Sequence, residues 1–425
     1  MDTLLYWIWL SEAKGIGIAT AKALLLHFGS PENIYKGKTY EYGNIEGVNK
    51  TAVAALGNKS LENADKILQS CKKIACSILT IEDIEYPARL KNIYDPPLLL
   101  YVHGNMPKID DEPVVSIVGS RTCTNYGLKI AEKTGYELAK SGFIVATGLA
   151  KGIDSAAAKG TLRAGGSVIG VIGSGLDVVY PPENRELFVK VAKTGAVVSE
   201  YPPGTKALAH NFPARNRIIS GLSLGVAVIE APKRSGALIT ASRALEQNRD
   251  VFTLPANVDA KSSEGSNALL REGAIPFITT DDIINEYADL FPDKININTT
   301  EDVANTINDS ELEGQYAIFE EDSEFGYANE RDITTGIRKG IDNLSEVEYI
   351  DIDAIANQLD GNEKTIALAI GNEILHVDLV ITRSKLLASE VLTALLMMEI
   401  SGFVKRENGS YYRLKNSSDS FDNSR

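Results

Sequence analysis

Residues 211–221 read Asn-Phe-Pro-Ala-Arg-Asn-Arg-Ile-Ile-Ser-Gly and concentrate the residue types that hold an anion. Pro213 stands where a helix would begin, a place proline tolerates because the first helical N–H groups lack partners. Those N–H groups and the positive end of the helix dipole attract negative charge, and Arg215 and Arg217 add forked donors. In a helix the two arginines point roughly 200° apart. The spacing therefore predicts that one reaches outward to a phosphate while the other braces nearby loops. Asn211, Phe212 and Asn216 complete the stretch, with Phe212 placed to stack on or flank a base.

Three further loops share this chemistry. They are Gly119-Ser120-Arg121-Thr122, Gly173-Ser174-Gly175, and Lys233-Arg234-Ser235-Gly236-Ala237 behind Glu230. Each joins glycine, which lets backbone N–H groups approach a ligand, to a hydroxyl donor, and two add a cation. The spacing is not the dinucleotide GxGxxG fingerprint. The predicted phosphate-binding set is Gly119, Ser120, Arg121, Gly173, Ser174, Gly175, Asn211, Phe212, Arg215, Asn216, Arg217, Lys233, Ser235, Gly236 and Ala237.

The elements that must position these loops follow from periodicity. Apolar runs at Val114–Val118, Phe143–Thr147, Val168–Ile172, Val197–Ser199, Val226–Ile229, Val251–Leu254 and Pro276–Ile278 read as strands. Amphipathic helices fall between them at 126–140, 152–164, 184–193, 213–222, 236–247 and 265–272. Strands buried on both faces and joined by crossover helices make a doubly wound, Rossmann-like parallel α/β sheet. Such sheets bind ligands at the carboxyl ends of their strands, where the glycine loops sit.

Within that sheet region the chain resembles the DNA-processing protein A family (DprA, also called Smf). The likeness rests on Ser116-Ile117-Val118-Gly119-Ser120-Arg121, Gly148-Leu149-Ala150-Lys151-Gly152-Ile153-Asp154, Tyr180-Pro181-Pro182-Glu183-Asn184 and Ser199-Glu200-Tyr201-Pro202. It continues through Phe212–Gly221 and Ser235–Thr240, in the family's order. Ala158 stands where the family usually has histidine, and Thr147 where it often has serine. The resemblance implies a cytosolic, dimeric protein that binds single-stranded DNA and loads the RecA recombinase onto it, the dimer forming through the Rossmann-like domain.

Composition sets limits on other functions. The 425 residues carry 44% hydrophobic and 24% charged side chains, as ordinary globular proteins do. No apolar run approaches the ~20 residues of a membrane span, and the start lacks a signal peptide's basic region. Three cysteines without a CxxC pair argue against a disulfide framework or a zinc site. A cytoplasmic location without metal or cofactor is expected. The net charge of −14 lies wholly within residues 291–360, which hold 18 acidic and four basic residues. Between Lys206 and Arg249, seven bases face only Glu230 and Glu246, predicting a basic face on the motif helix.

The expected domain order is a helical SAM- or helix-hairpin-helix-like domain (1–65), a connecting segment (66–110), the sheet domain (111–290), an acidic linker or insertion (291–360), a winged helix (361–415) and a disordered tail (416–425). Lys14-Gly15-Ile16-Gly17-Ile18 supplies the hairpin turn of the first domain, with little charge near it. In the last, helix 389–400 holds Glu390 and Glu399 and no base, so it suits protein contact better than a DNA groove. A rival reading is a nucleotide-hydrolysing enzyme like the cytokinin-activating phosphoribohydrolases, which place a glutamate just after a glycine-rich loop. Here no glutamate follows Ser235-Gly236 until Glu246, and the four histidines form no catalytic grouping, so no catalytic residue is assigned.

Overall fold

The computed structural model describes residues 3–296, 355–356, 358–371, 375–406 and 411–414. The chain separates into two compact units, Met1–Asn329 and Glu330–Arg425.

The first unit is built on a nine-stranded sheet. Its strands are β1 (Ser77–Thr80), β2 (Leu99–Gly104), β3 (Val114–Val118), β4 (Ile144–Thr147), β5 (Val168–Ile172), β6 (Ala196–Ser199), β7 (Gly225–Val228), β8 (Asp250–Thr253) and β9 (Ile275–Pro276). They lie in the order β1-β2-β6-β5-β4-β3-β7-β8-β9. Pairing is parallel from β6 to β9, and β3 and β5 are buried along their whole length. Strand order reverses direction at β3, so the crevice where such sheets take ligands opens between the ends of β3 and β7. Gly119–Arg121 and Glu230 leave the sheet at that point.

The sheet extends beyond its expected start. β2 pairs antiparallel with β6, and β1 antiparallel with β2. The segment read as a connection, 66–110, thus supplies two edge strands. Leu98–Val102 was legible as apolar, but the partner strand β6 lies about a hundred residues on, beyond any local signal. The N-terminal helices join the same core, for Trp7, Ile8, Leu24, Tyr42 and Leu68 belong to one apolar cluster with Leu100, Val198 and Ile219. Residues 1–65 are therefore part of the unit rather than a separate globule. The far end also runs longer than 290: Ile295 is buried and the Asn296 N–H donates to Ser141 O at 3.1 Å.

The second unit packs helices Gly361–Ile370, Val377–Ser384 and Ala388–Ile400 against a small sheet of β10 (Leu375–His376), β11 (Val404–Arg406) and β12 (Tyr411–Leu414). The order β10-β12-β11 and the core of Ile366, Ile370, Val391, Leu395, Met398 and Leu414 make the winged helix expected there. The acidic segment from 297 to 354, the turn Asn408-Gly409 and the tail from 415 lie outside the described residues.

Candidate nucleic-acid interface

The four anticipated segments converge at the carboxyl edge of the sheet. Asn211 Nδ2 donates to Gly173 O at 2.9 Å, joining the motif helix to the loop after β5. Asn216 Nδ2 donates to Gly236 O at 3.1 Å, joining the same helix to the loop after β7. Ser120 N–H donates to Glu230 O at 2.7 Å across the crevice, and Arg121 lies over the Phe212 ring, 5.0 Å from its centroid.

Convergence does not leave every donor free. The motif helix spans Asn211–Gly221, but the Asn211 and Phe212 N–H groups already donate to Leu208 O and Ala209 O, and Pro213 has none. The open helix start predicted for an anion is thus largely filled by its own entry loop. The loop hydroxyls are likewise engaged: Ser120 Oγ with Thr122, Ser174 Oγ with Val178 O, and Ser235 Oγ as helix cap to Ala237 N. Short hydroxyls in tight loops find the nearest backbone group first.

The two motif arginines depart most from expectation. Arg215 is only 4% exposed and points inward, its Nη1 donating to Gly148 O at 2.9 Å and to Val171 O. Asp154, also buried, accepts from the Gly148 N–H at 3.1 Å. A Cβ on Gly148 would stand 2.7 Å from Asp154 Oδ2 and 2.8 Å from Arg215 Nη1, so only glycine fits between them. Burial pushes the Asp154 carboxyl up and the Arg215 guanidinium down to about 10, each restrained by the other's charge. Arg215 is a bolt through the ends of β4 and β5: its Nη1 is taken by backbone carbonyls in place of a phosphate, while its Nε is buried without a hydrogen-bond partner.

Arg217 braces as well. Its guanidinium grips Glu200 at 2.6 and 2.9 Å and Asp95 O at 2.8 Å. So both arginines brace, and neither is the outward one. The seven-base face is broken up accordingly: Arg243 pairs with Glu246 at 2.6 Å, and Arg249 donates to Arg89 O. Lys206 and Lys233 stay exposed, Lys233 standing 3.7 Å from an exposed Glu264.

What faces solvent is a compact cation–aromatic group. Arg121 is exposed and covers one side of Phe212, while Tyr180 meets that ring at 5.6 Å and a 54° tilt. Arg215 lies 5.9 Å from the same ring. Phe212 is therefore a platform for Arg121. Tyr180, Asp154 and Glu200 were not singled out as site residues. Their motifs were visible, but which side chains meet was not.

Comparisons with known proteins match both the sheet region and the winged helix. Residues 77–288 match the model of the family described as DNA recombination-mediator protein A, and 353–410 match the DprA winged helix domain. The first match begins at β1, where the sheet itself begins. The chain is 35% identical to Protein Smf of Synechocystis sp. over 415 residues, 96% of this chain and 98% of that one. It is 45% identical to DNA processing protein DprA of Streptococcus pneumoniae over 49% of this chain and 73% of the relative. The X-ray structure of DNA processing protein A from Streptococcus pneumoniae superposes with a TM-score of 0.59 at 36% identity, covering 66% of this chain and 97% of that one. With sheet region and winged helix both matched and a relative aligned along nearly its whole length, the chain belongs to the DNA recombination-mediator protein A family.

Proposed function

We propose that the chain binds single-stranded DNA along the carboxyl edge of its sheet and presents the strand to the RecA recombinase, acting as a binding protein rather than an enzyme. The observation that carries this reading is the exposed Arg121 guanidinium over the Phe212 ring beside Tyr180, at the sheet's switch point. A cation on an aromatic ledge suits a backbone phosphate with its base splayed alongside, the form of a single strand. Lys206 and Lys233, both exposed, add cations on the loops after β6 and β7. The inward residues of the predicted set (Gly119, Ser120, Gly173, Ser174, Gly175, Asn211, Arg215, Asn216, Arg217) hold the ledge in place rather than touch the strand. Ser235, Gly236 and Ala237 form a helix start beside it, with Gly236 open to solvent.

A duplex needs a groove-reading element, and the winged helix offers Glu390 and Glu399 there instead of bases. A homodimer through the sheet unit would double the length of strand held. The enzymatic alternative finds no support in the loop after β7, where Glu246 is ten residues past Gly236 and paired with Arg243. Gel shifts with single and double strands of equal length test the reading. Tighter single-strand binding that weakens steeply with salt is expected; equal affinity for both forms would overturn it. RecA assembly on the bound strand, followed by its strand-dependent ATP hydrolysis, tests the hand-over.

A further inference from the structure

Helix Ala388–Ile400 of the winged helix is apolar on two opposite sides. Val391, Ala394, Leu395 and Met398 face the core. On the other side Leu392, Leu396 and Ile400 follow at intervals of four, with Met397 next to them, each between 49% and 73% exposed. Ser389 and Thr393 complete that face, and the two glutamates of the helix, Glu390 and Glu399, flank it. A helix apolar all round is normally enclosed, and contiguous exposed apolar surface marks a contact site.

The ground beside Met397 indicates what covers it. A groove runs between this helix and the start of helix Gly361–Ile370, lined by Asp360, Glu363, Ser389, Glu390, Thr393 and Met397. Three carboxylates and no base line it. One Glu390 oxygen is committed to the Leu387 N–H at 3.0 Å. Apolar ridge and acidic groove adjoin, so one occupant can use both. DNA is repelled by the carboxylates, and a second copy of this domain would bring like charge against like.

We propose that this face docks an amphipathic helix of another protein, one whose apolar ridge lies on Leu392, Leu396 and Ile400 and whose lysine or arginine enters the Asp360–Glu363–Glu390 groove. The contact is of the helix-in-groove kind. It is independent of the DNA-binding reading, which concerns the other unit.

The test is selection of phage-displayed helical peptides on the full chain, with the Leu396→Glu chain as counter-target. Recovered sequences should share apolar residues at i, i+3 or i+4, and i+7, flanked by lysine or arginine. A synthetic consensus peptide should bind the wild-type chain at least tenfold more tightly than Leu396→Glu or Ile400→Lys, and several-fold more tightly than Glu363→Lys. Both apolar positions are exposed, so unchanged thermal melting and an unchanged circular dichroism spectrum would show that the variants fold. The proposal fails if selection yields no peptide sensitive to Leu396→Glu, or if acidic peptides bind as well as basic ones. It also fails if sedimentation shows self-association that Leu396→Glu abolishes, which would make a second copy the occupant.

Discussion

Two helices in this chain present opposite surfaces. Helix Asn211–Gly221 buries Arg215, Asn216 and Ser220. Helix Ala388–Ile400 exposes Leu392, Leu396 and Ile400. In the first, polar groups are drawn inward because strand ends and loops offer carbonyls and amides that water would otherwise have to satisfy. In the second, apolar groups remain outward because the small domain has only one side to cover them. Residue type sets what a side chain can bond to, and the neighbours decide which way it faces.

Breaking the inward side should have the largest effect. Arg215→Ala removes the main counter-charge near the buried Asp154 and strips the Gly148 and Val171 carbonyls of a donor, and each buried polar group left unpartnered costs roughly 1–3 kcal/mol. Urea unfolding should show that loss, with DNA affinity falling only as the folded fraction falls. If Arg215→Ala folded as stably as the wild type yet lost DNA binding, the arginine would be a strand contact and its inward placement irrelevant.

Next comes the outward cation. Arg121→Ala should leave the melting temperature within a degree or so of wild type, since an exposed side chain is removed. Its single-strand affinity should fall tenfold or more, because a charge-assisted contact is worth roughly 1.5–3 kcal/mol. Anisotropy titrations of both variants side by side separate a bolt from a contact. Equal effects of Arg121→Ala and of an arginine in the acidic segment, Arg331→Ala, would remove the case for this site.

A smaller effect is expected from removing the acidic segment together with the winged helix. Residues 291–360 hold the whole net charge of −14, and a tethered acidic chain can compete with phosphate for cations. Truncation after Asn296, rather than at 290, keeps Ile295 in its core position. The truncate should bind single strands as well as the full chain or better, with the gain most visible at low salt. A folded truncate that had lost most of its affinity would show that the winged helix touches DNA.

The smallest expected effect lies at Lys59, whose ammonium sits 4.9 to 5.4 Å from the rings of Trp9, Tyr35 and Tyr42. Burial lowers it to about 8, below the ordinary lysine value of 10.5. Between those values the unfolded chain binds more protons than the folded one, so stability should rise with pH from about 8 to 10.5. Thermal melts across that window, compared with Lys59→Met, measure the slope. A variant with the same slope would assign it to another group.

Much of this molecule was legible from its residues alone. β3 and β5 run over the very residues, Val114–Val118 and Val168–Ile172, that read as unbroken apolar runs next to glycine loops. Continuous burial in a parallel sheet leaves that mark on the chain. The loops with Arg121, Ser174 and Ser235 were visible for the same local reason, since glycine and short hydroxyls are needed where strand turns into helix. Tertiary structure decided the rest. β1 and β2 became strands of the sheet because β6 offered an open edge, and Arg215 turned inward because Gly148 and Val171 bring carbonyls to it from 67 and 44 residues away. A side chain's choice between phosphate and backbone carbonyl depends on which strand ends stand beside it, and that is set by sheet order, not by any stretch of sequence near the arginine.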